Sequence, residues 1–270
     1  MGKPINKQAN SPFHTFINKI LDEKKTRIIK QDIDSALVYV PKMEITCIFE
    51  IKRSTYDFTT WKPFPDDYPN YCALFKFKEE AGIDYCFVLY YIKNRLFKDG
   101  ILKFQVMGID DHRKPKFSPG EAYKLNDFEE RFLKELYKLK TKIRETNLQG
   151  SKNHYDIYFY LNLLTRFQNH IYIGEENNWV MLISSSYDFK PLCLYREITG
   201  DLPVSGYKFD QDFTDILFER VSQRISIPYF RFYYEKNNLN SFSVKEFEEL
   251  QVLGQTDFVD FYLNKIRGIR

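Results

Sequence analysis

Four short apolar runs in the first half of the chain predict β-strands. Two of them, Ile33–Val40 and Ile45–Ile51, are separated by Pro41–Glu44, a spacing that is typical of a β-hairpin. Both faces of this hairpin are largely apolar, which indicates a sheet that is covered by helices on both sides. The other two runs, Ile83–Ile92 and Ile101–Met107, are rich in aromatic and β-branched residues and predict buried strands.

Helical signals alternate with these strands. Ser11-Pro12 is a start signal for a helix whose apolar residues recur at helical spacing as far as Leu21. A second helix is predicted over Asn70–Ala81, with Gly82 as its C-cap, and a third from Asp127 to about Glu145. The order helix, hairpin, helix, strand, strand, helix predicts a mixed α/β domain.

The second half of the chain repeats parts of the first, and Gln149–Ser151 is interpreted as a linker between domains 1–147 and 151–270. Three matches occur in the same order in both halves: Ser54–Phe58 with Ser185–Phe189, Ile83–Asn94 with Ile227–Asn237, and Asp127–Leu133 with Asp257–Leu263. They indicate an internal duplication. In this alignment Glu50 and Lys52 fall on Met181 and Ile183, so the second domain is predicted to be a degenerate copy without the charged residues.

Charged side chains occupy the predicted hairpin at positions where apolar residues are expected. If the loop is centred near Lys42, antiparallel pairing places Asp34 opposite Glu50 and Asp32 opposite Lys52, all on one face. Two carboxylates in such a place repel each other. A divalent cation between them would remove this repulsion.

Asp34, followed on the neighbouring strand by Glu50-Ile51-Lys52, resembles the motif of the PD-(D/E)xK nuclease superfamily, to which many restriction endonucleases and Holliday-junction resolvases belong. The order of elements is similar to the core of that family over about the first 110 to 145 residues. In one departure, Ile33 stands where the motif name has proline.

The resemblance implies a restriction-endonuclease-like mixed sheet flanked by helices, duplicated here with a degenerate second copy. It also implies metal-dependent phosphodiester hydrolysis, with DNA as the expected substrate and Mg²⁺ or Mn²⁺ as the cofactor. Asp34 and Glu50 would be metal ligands together with the backbone carbonyl of Ile51, and Lys52 would be the catalytic lysine. Asp32 is the alternative first acid, or else an ion-pair partner of Lys52.

Less specific interpretations remain open. Glu-x-Lys triplets are common on solvated strands, and an exposed Glu50/Lys52 pair on an edge strand has no catalytic meaning. The alternative function is a non-catalytic module with a nuclease-like fold that binds nucleic acid or protein. It predicts that Asp34 and Glu50 lie apart or are exposed.

In a nuclease, the second domain would act as an internal pseudo-dimeric partner or a substrate-binding platform, and a homodimer is a further option.

Basic residues near the predicted site are candidates for contact with phosphates. The candidate phosphate-binding residues are Arg53, Lys93, Arg95 and Lys114. The aromatic residues of the loop that follows the hairpin, Trp61, Phe64 and Tyr68, would stack on bases or else simply cover the core.

Composition constrains the function less than these motifs do. The chain has 43% hydrophobic and 29% charged residues and a formal net charge of +3, which is too small to indicate nucleic-acid binding by itself. Its 4 cysteines stand singly and are predicted to be small core residues. Neither a signal peptide nor an apolar run of about 18 to 20 residues is recognisable, so a cytoplasmic protein without a membrane span is expected.

Overall fold

Two mixed β-sheets flanked by helices make this an α/β protein. The computed structural model describes residues 12–92, 100–124, 131, 170–173, 180–200, 213–235, 238–246 and 249–267. The four α-helices within these ranges are α1 (Pro12–Glu23), α2 (Tyr68–Glu80), α3 (Phe213–Arg224) and α4 (Gln255–Arg267).

The strands are numbered in chain order. The first seven are β1 (Ile28–Ile33), β2 (Ser35–Tyr39), β3 (Glu44–Ser54), β4 (Tyr85–Ile92), β5 (Ile101–Ile109), β6 (Pro115–Phe117) and β7 (Glu121–Tyr123). The rest are β8 (His170–Ile173), β9 (Val180–Ser185), β10 (Pro191–Thr199), β11 (Tyr229–Glu235), β12 (Asn238–Glu246) and β13 (Glu249–Gly254).

The seven-stranded sheet has the order β6-β5-β4-β3-β2-β8, and β7 also pairs with β5. Strands β2 and β3 form an antiparallel hairpin, and α2 connects β3 to β4, which lies parallel to β3. Its central strands are buried on both faces, as the near-continuous apolar runs predict: in β4 the residues from Cys86 to Tyr90 are all buried.

The six-stranded sheet has the order β1-β9-β10-β11-β12-β13. Strands β9 and β10 are antiparallel, and α3 connects β10 to the parallel strand β11. Helix α1 packs against this sheet because the apolar side of the helix joins an aromatic core. Phe13 at its start is fully buried and lies 5.1 Å from Tyr234 and 5.7 Å from Phe258 between ring centroids.

Contacts divide the chain into one unit of residues 1–30 and 180–270 and a second unit of residues 31–179. These boundaries differ from the predicted domains 1–147 and 151–270. The boundaries differ because two strands pair outside the predicted domain that contains them. Strand β1 pairs with β9 in the six-stranded sheet, and β8 pairs with β2 in the seven-stranded sheet. Sequence proximity predicts local pairing, but hydrogen bonding between distant strands decides the units.

The two sheets share one connectivity. In each, an antiparallel hairpin is followed by a connecting helix, a parallel strand and a further antiparallel strand. This places β3 in correspondence with β10, and β4 with β11, as the match of Ile83–Asn94 with Ile227–Asn237 predicts. The match of Asp127–Leu133 lies outside the described residues except for position 131.

The match of Ser54–Phe58 with Ser185–Phe189 is wrong in this topology. Ser54 ends the strand that leads to α2, whereas Ser185 ends β9 and leads into the hairpin loop before β10. Met181 and Ile183 lie on β9, which corresponds to β2, and are therefore not the counterparts of Glu50 and Lys52. Short aromatic-rich strings recur readily in a chain with 25 Phe and 20 Tyr.

All four cysteines are buried and none is in a disulfide, which confirms their prediction as core residues. Among the helices that the structure describes, none has both the length and the apolar character needed to cross a membrane.

Candidate active site

The hairpin of β2 and β3 has the predicted register at its acidic end. Ser35 pairs with Phe49, which puts the preceding residue, Asp34, level with Glu50. A register shift lies between Leu37 and Val38, so the prediction fails towards the turn. The extra residue of this β-bulge is Thr46 on β3, because Leu37 pairs with Cys47 and Val38 with Ile45. The Val40–Lys42 segment beyond it forms a 3-10 turn that Met43 closes in the left-handed conformation.

Asp34 interrupts what the apolar pattern predicts to be one strand. It lies between β1 and β2, and the chain changes sheet at this residue. Its Oδ2 accepts a hydrogen bond of 2.6 Å from the backbone N–H of Ile51 on β3. The carboxylate therefore takes the place of a strand partner beside Glu50-Ile51-Lys52, and half-buried Asp34 is held within this site.

Glu50 and Lys52 point to the face of the sheet that carries α2. The Glu50 side chain is only 2% exposed, and its Oε1 lies 2.6 Å from Nζ of Lys52. Lys52 also lies 3.8 Å from Oδ2 of Asp67, just before α2, and its Nζ is 5.8 Å from the ring centroid of Tyr71 on α2. The pair is thus buried under a helix and does not occupy an exposed edge strand.

Asp32 does not pair with Lys52 as predicted, because it belongs to β1, which leaves the hairpin for the other sheet. It interacts with Gln31. Nε2 of Gln31 donates to the Asp32 carboxylate over 3.1 Å, to the Asp32 carbonyl over 2.7 Å and to Oε2 of Glu50 over 2.8 Å. Gln31 is itself 3% exposed, so a buried amide connects the two acids.

The electrostatics of the site are dominated by burial. The pKa of Glu50 is raised to about 7. Burial is the largest cause, the Lys52 ammonium acts in the opposite direction, and the charge of Asp32 adds to the rise. The pKa of Asp34 is raised well above its usual range by burial and then by the charges of Glu50 and Asp32. Two carboxylates that share this site do not both ionise readily without further positive charge.

Lys52 is held as an ammonium. Burial alone lowers its pKa, but the charges of Glu50, Tyr71, Asp34 and Asp67 outweigh burial, so the pKa is raised above its usual range. Burial raises the pKa of the Tyr71 phenol, which therefore stays neutral. The Tyr71 hydroxyl is buried and finds no hydrogen-bond partner within the described part of the chain.

These residues fit a hard divalent cation. Carboxylates and a backbone carbonyl are the oxygen ligands that Mg²⁺ and Mn²⁺ prefer, and a cation would favour the ionised forms of Asp34 and Glu50, whose pKa values burial raises. Asp34 and Ile51 are joined directly by the hydrogen bond from the Ile51 amide. Across the described ranges there is no group of three or more His, Cys, Asp or Glu placed to hold a metal, so the ligands here would be two carboxylates and a carbonyl.

The predicted phosphate-binding residues are not gathered at this site. Arg53 is exposed on β3, but as the neighbour of Lys52 it points to the opposite face. Lys114 is exposed in the turn between β5 and β6, where its backbone N–H donates to Asp110 over 2.8 Å. Lys93 and Arg95 lie outside the described residues.

Trp61 covers the core, the second of the two roles that the sequence left open. It is 3% exposed and stacks on Tyr90 with ring centroids 4.1 Å apart and an interplanar angle of 3°. Phe64 and Tyr68 are half-buried.

The six-stranded sheet has different chemistry at the corresponding position. In the seven-stranded sheet Glu50 pairs with Val88 on the face of α2; in the other sheet the pair that faces α3 is Arg196 and Arg231. Both arginines are buried and bond to Asp215 of α3, at 2.9 Å and 3.5 Å. By alternation the counterpart of Lys52 is Ile198.

Sequence reasoning missed Gln31, Asp67 and Tyr71 as members of the site. Gln31 carried a weak signal, since an uncharged polar residue beside Asp32 interrupts an otherwise alternating strand. Asp67 lies at the end of the 3-10 turn before α2, where the sequence indicates only a turn residue. Tyr71 has no local signal, because only the packing of α2 on the sheet brings it to Lys52.

Neither a scan against protein-family models nor a search of curated proteins finds a match to this chain.

Proposed function

We propose that this protein is a metal-dependent nuclease with a restriction-endonuclease-like unit of residues 31–179. The observation that carries the proposal is the cluster of buried Glu50 with half-buried Asp34 and Lys52, in which the Glu50–Lys52 contact measures 2.6 Å. A buried acid pair with raised pKa values beside an ammonium is costly for stability, and such arrangements concentrate at functional sites.

Asp34, Glu50 and the Ile51 carbonyl would hold Mg²⁺ or Mn²⁺. The chemistry that such an ion supplies is neutralisation of phosphate charge and activation of a water. Asp34 is oriented for this by the Ile51 amide, and Glu50 by Gln31 and Lys52. Asp32 contacts Gln31 through a carboxylate oxygen and remains the alternative first acid.

Lys52 would act as a cation and not as a base. Its raised pKa keeps the ammonium protonated at neutral pH, so it can hydrogen-bond an attacking water or a phosphate oxygen and stabilise charge that develops there. Tyr71 limits access of bulk water on the side of α2, and its unpartnered hydroxyl is a second donor at the site.

The six-stranded sheet supports the interpretation of a degenerate copy. It has the same connectivity, but Arg196 and Ile198 replace Glu50 and Lys52 on the helix-facing side. A buried ion-pair cluster of Arg196 and Arg231 with Asp215 and Glu219 lies on this side of the sheet instead. We infer that this unit serves as an internal pseudo-dimeric partner or a substrate platform.

The alternative, a non-catalytic binding module, predicts that Asp34 and Glu50 are apart or exposed. Glu50 is buried, and Asp34 bonds to the residue next to it. This arrangement favours hydrolysis over binding alone. DNA is the proposed substrate, and a cytoplasmic location remains a prediction.

Cleavage of DNA by the purified full chain, with Mg²⁺ or with EDTA, tests the proposal. Lys52→Met should lower Mg²⁺-dependent cleavage by about 10²- to 10³-fold, the range expected for loss of a group that stabilises developing charge. Lys103→Met is the matched control. Lys103 is another buried lysine of the same sheet, paired with Glu121 at 3.1 Å but on the opposite face, and its loss should leave cleavage unchanged.

Equal cleavage by the wild-type protein and the folded Lys52→Met variant would refute the proposed role of Lys52. Cleavage that persists in EDTA would refute the metal dependence. The same assay with RNA of matching sequence separates DNA from RNA as substrate.

A further inference from the structure

A cleft with aromatic walls lies on the same face of the seven-stranded sheet as Glu50 and Lys52. It has a volume of about 360 Å³, within the range of pockets that hold small organic groups. Its aromatic lining consists of Phe58, Trp61, Tyr68, Phe104 and Phe117.

Strand register connects this cleft to the candidate active site. Glu50 pairs with Val88, which pairs with Phe104, and this last residue lines the cleft. Lys52 is linked in the same way through Tyr90 to Leu102. Two strand spacings correspond to about 10 Å, so the cleft begins about 10 Å from Glu50 and Lys52.

Trp61 forms a fixed part of the cleft wall. Its indole is 3% exposed and is held in place by stacking on Tyr90 with ring centroids 4.1 Å apart. Its Nε1–H is itself buried and has no hydrogen-bond partner within the described ranges. A base that enters the cleft would therefore meet a rigid aromatic surface.

The charge of the lining favours an anionic ligand. Lys62 lines the cleft and is exposed, and the lining contains no acidic residue. Thr59 and Ser118 add hydroxyl groups. Aromatic walls, hydroxyl groups and an exposed lysine are together features that recognise a nucleobase attached to a phosphate backbone.

We propose that this cleft binds one unpaired nucleobase of a single-stranded or locally unpaired nucleic acid. The inference rests on the proposed nuclease function and adds a substrate class to it. A base inside a duplex is stacked on both sides and cannot enter, so the substrate must be single-stranded or release the base.

Tryptophan fluorescence provides a direct test, because the chain contains 2 tryptophans, Trp61 and Trp179. In a full-length Trp179→Phe, Glu50→Gln protein, Trp61 is the only indole and cleavage is disabled. A short single-stranded oligonucleotide should quench it, whereas the corresponding duplex should not. Deoxyribose and ribose forms of the oligonucleotide distinguish the two sources of the same base.

Variants of the cleft give a second readout. Tyr68→Ala should weaken binding of the single strand by about 5- to 150-fold, the effect expected for one lost base–aromatic stack. Tyr68→Phe should restore the affinity because it keeps the ring. Lys42→Glu, at an exposed lysine outside the cleft, should not change binding.

Quenching by duplex as strong as by single strand, or unchanged affinity in a folded Tyr68→Ala variant, would overturn the inference. Fluorescence is measured without Mg²⁺, so the two proposals fail separately. Quenching without cleavage by the wild-type protein would support the cleft and reject the nuclease; cleavage without quenching would do the reverse.

Discussion

Nε2 of Gln31 in β1 lies 2.8 Å from Oε2 of Glu50 in β3, although β1 and β3 belong to different sheets. The same nitrogen contacts Asp32. A buried donor at Oε2 fixes the orientation of the Glu50 carboxyl group. We therefore assign Gln31 as a positioning residue of the candidate site.

Gln31→Leu should weaken binding of Mn²⁺ by about 10- to 100-fold, as loss of a group that orients a metal ligand does. The variant should also unfold at lower urea concentration, because Glu50 loses a buried donor at a cost of about 1–3 kcal/mol. Titration with Mn²⁺, followed by electron paramagnetic resonance, measures the affinity directly.

Gln105→Leu is the matched control for this change, because Gln105 lies in β5 on the face of the seven-stranded sheet opposite to Glu50. It should bind Mn²⁺ as the wild-type protein does. If Gln31→Leu loses stability but keeps the wild-type affinity for Mn²⁺, Gln31 is structural only.

The raised pKa of Glu50 predicts that stability depends on pH in the metal-free protein. The folded state holds this proton with a pKa of about 7, compared with an ordinary value of 4.5. The stabilisation of the folded state by this bound proton is therefore fully present below about pH 4.5 and is lost as the pH rises to about 7. The decrease in the free energy of unfolding is on the order of 3 kcal/mol at most.

Urea unfolding of metal-free protein at several pH values measures this decrease. Glu50→Gln should make the decrease smaller, and the part that remains comes from Asp34, whose pKa burial also raises. Glu121→Gln should not, because the Tyr123 hydrogen bond lowers the pKa of Glu121 and its contribution is lost towards acid. Added Mg²⁺ should restore stability near neutral pH. A wild-type protein whose stability is flat from pH 4.5 to 7 would contradict the raised pKa.

Phe13 tests the unit boundaries. Its ring is fully buried among those of Tyr234, Phe242 and Phe258, so Phe13→Ala should cost about 3–5 kcal/mol. The loss should fall on the unit that contains residues 180–270 and not on the unit of residues 31–179.

Hydrogen exchange with residue resolution distinguishes these outcomes. In Phe13→Ala, protection should decrease in β10, β11 and β12 while β3 and β4 keep theirs. Lys19→Ala, at an exposed position of the same helix, should change neither sheet. A loss of protection centred on β3 and β4 would instead support a first domain of residues 1–147.

The sequence by itself determined the elements that depend on local patterns. Apolar runs and turn residues predicted β2, β3, β4 and β5, and helical spacing predicted α1 and α2, because side-chain period and capping are properties of neighbouring residues. The predicted register at the acidic end of the hairpin is correct because a β-bulge between Leu37 and Val38 restores it, and the sequence did not predict this bulge. Glu50 and Lys52 were found together from sequence because residues two apart on a strand share a face.

The tertiary structure decided every relationship between distant segments. It turned the chain from one sheet to the other at Asp34, so Asp32 lost its predicted pairing with Lys52 and Gln31 entered the site. It also paired β1 with β9 in one sheet and β8 with β2 in the other. Strand partners and packed helix faces are chosen by global burial of apolar surface, which no local spacing encodes.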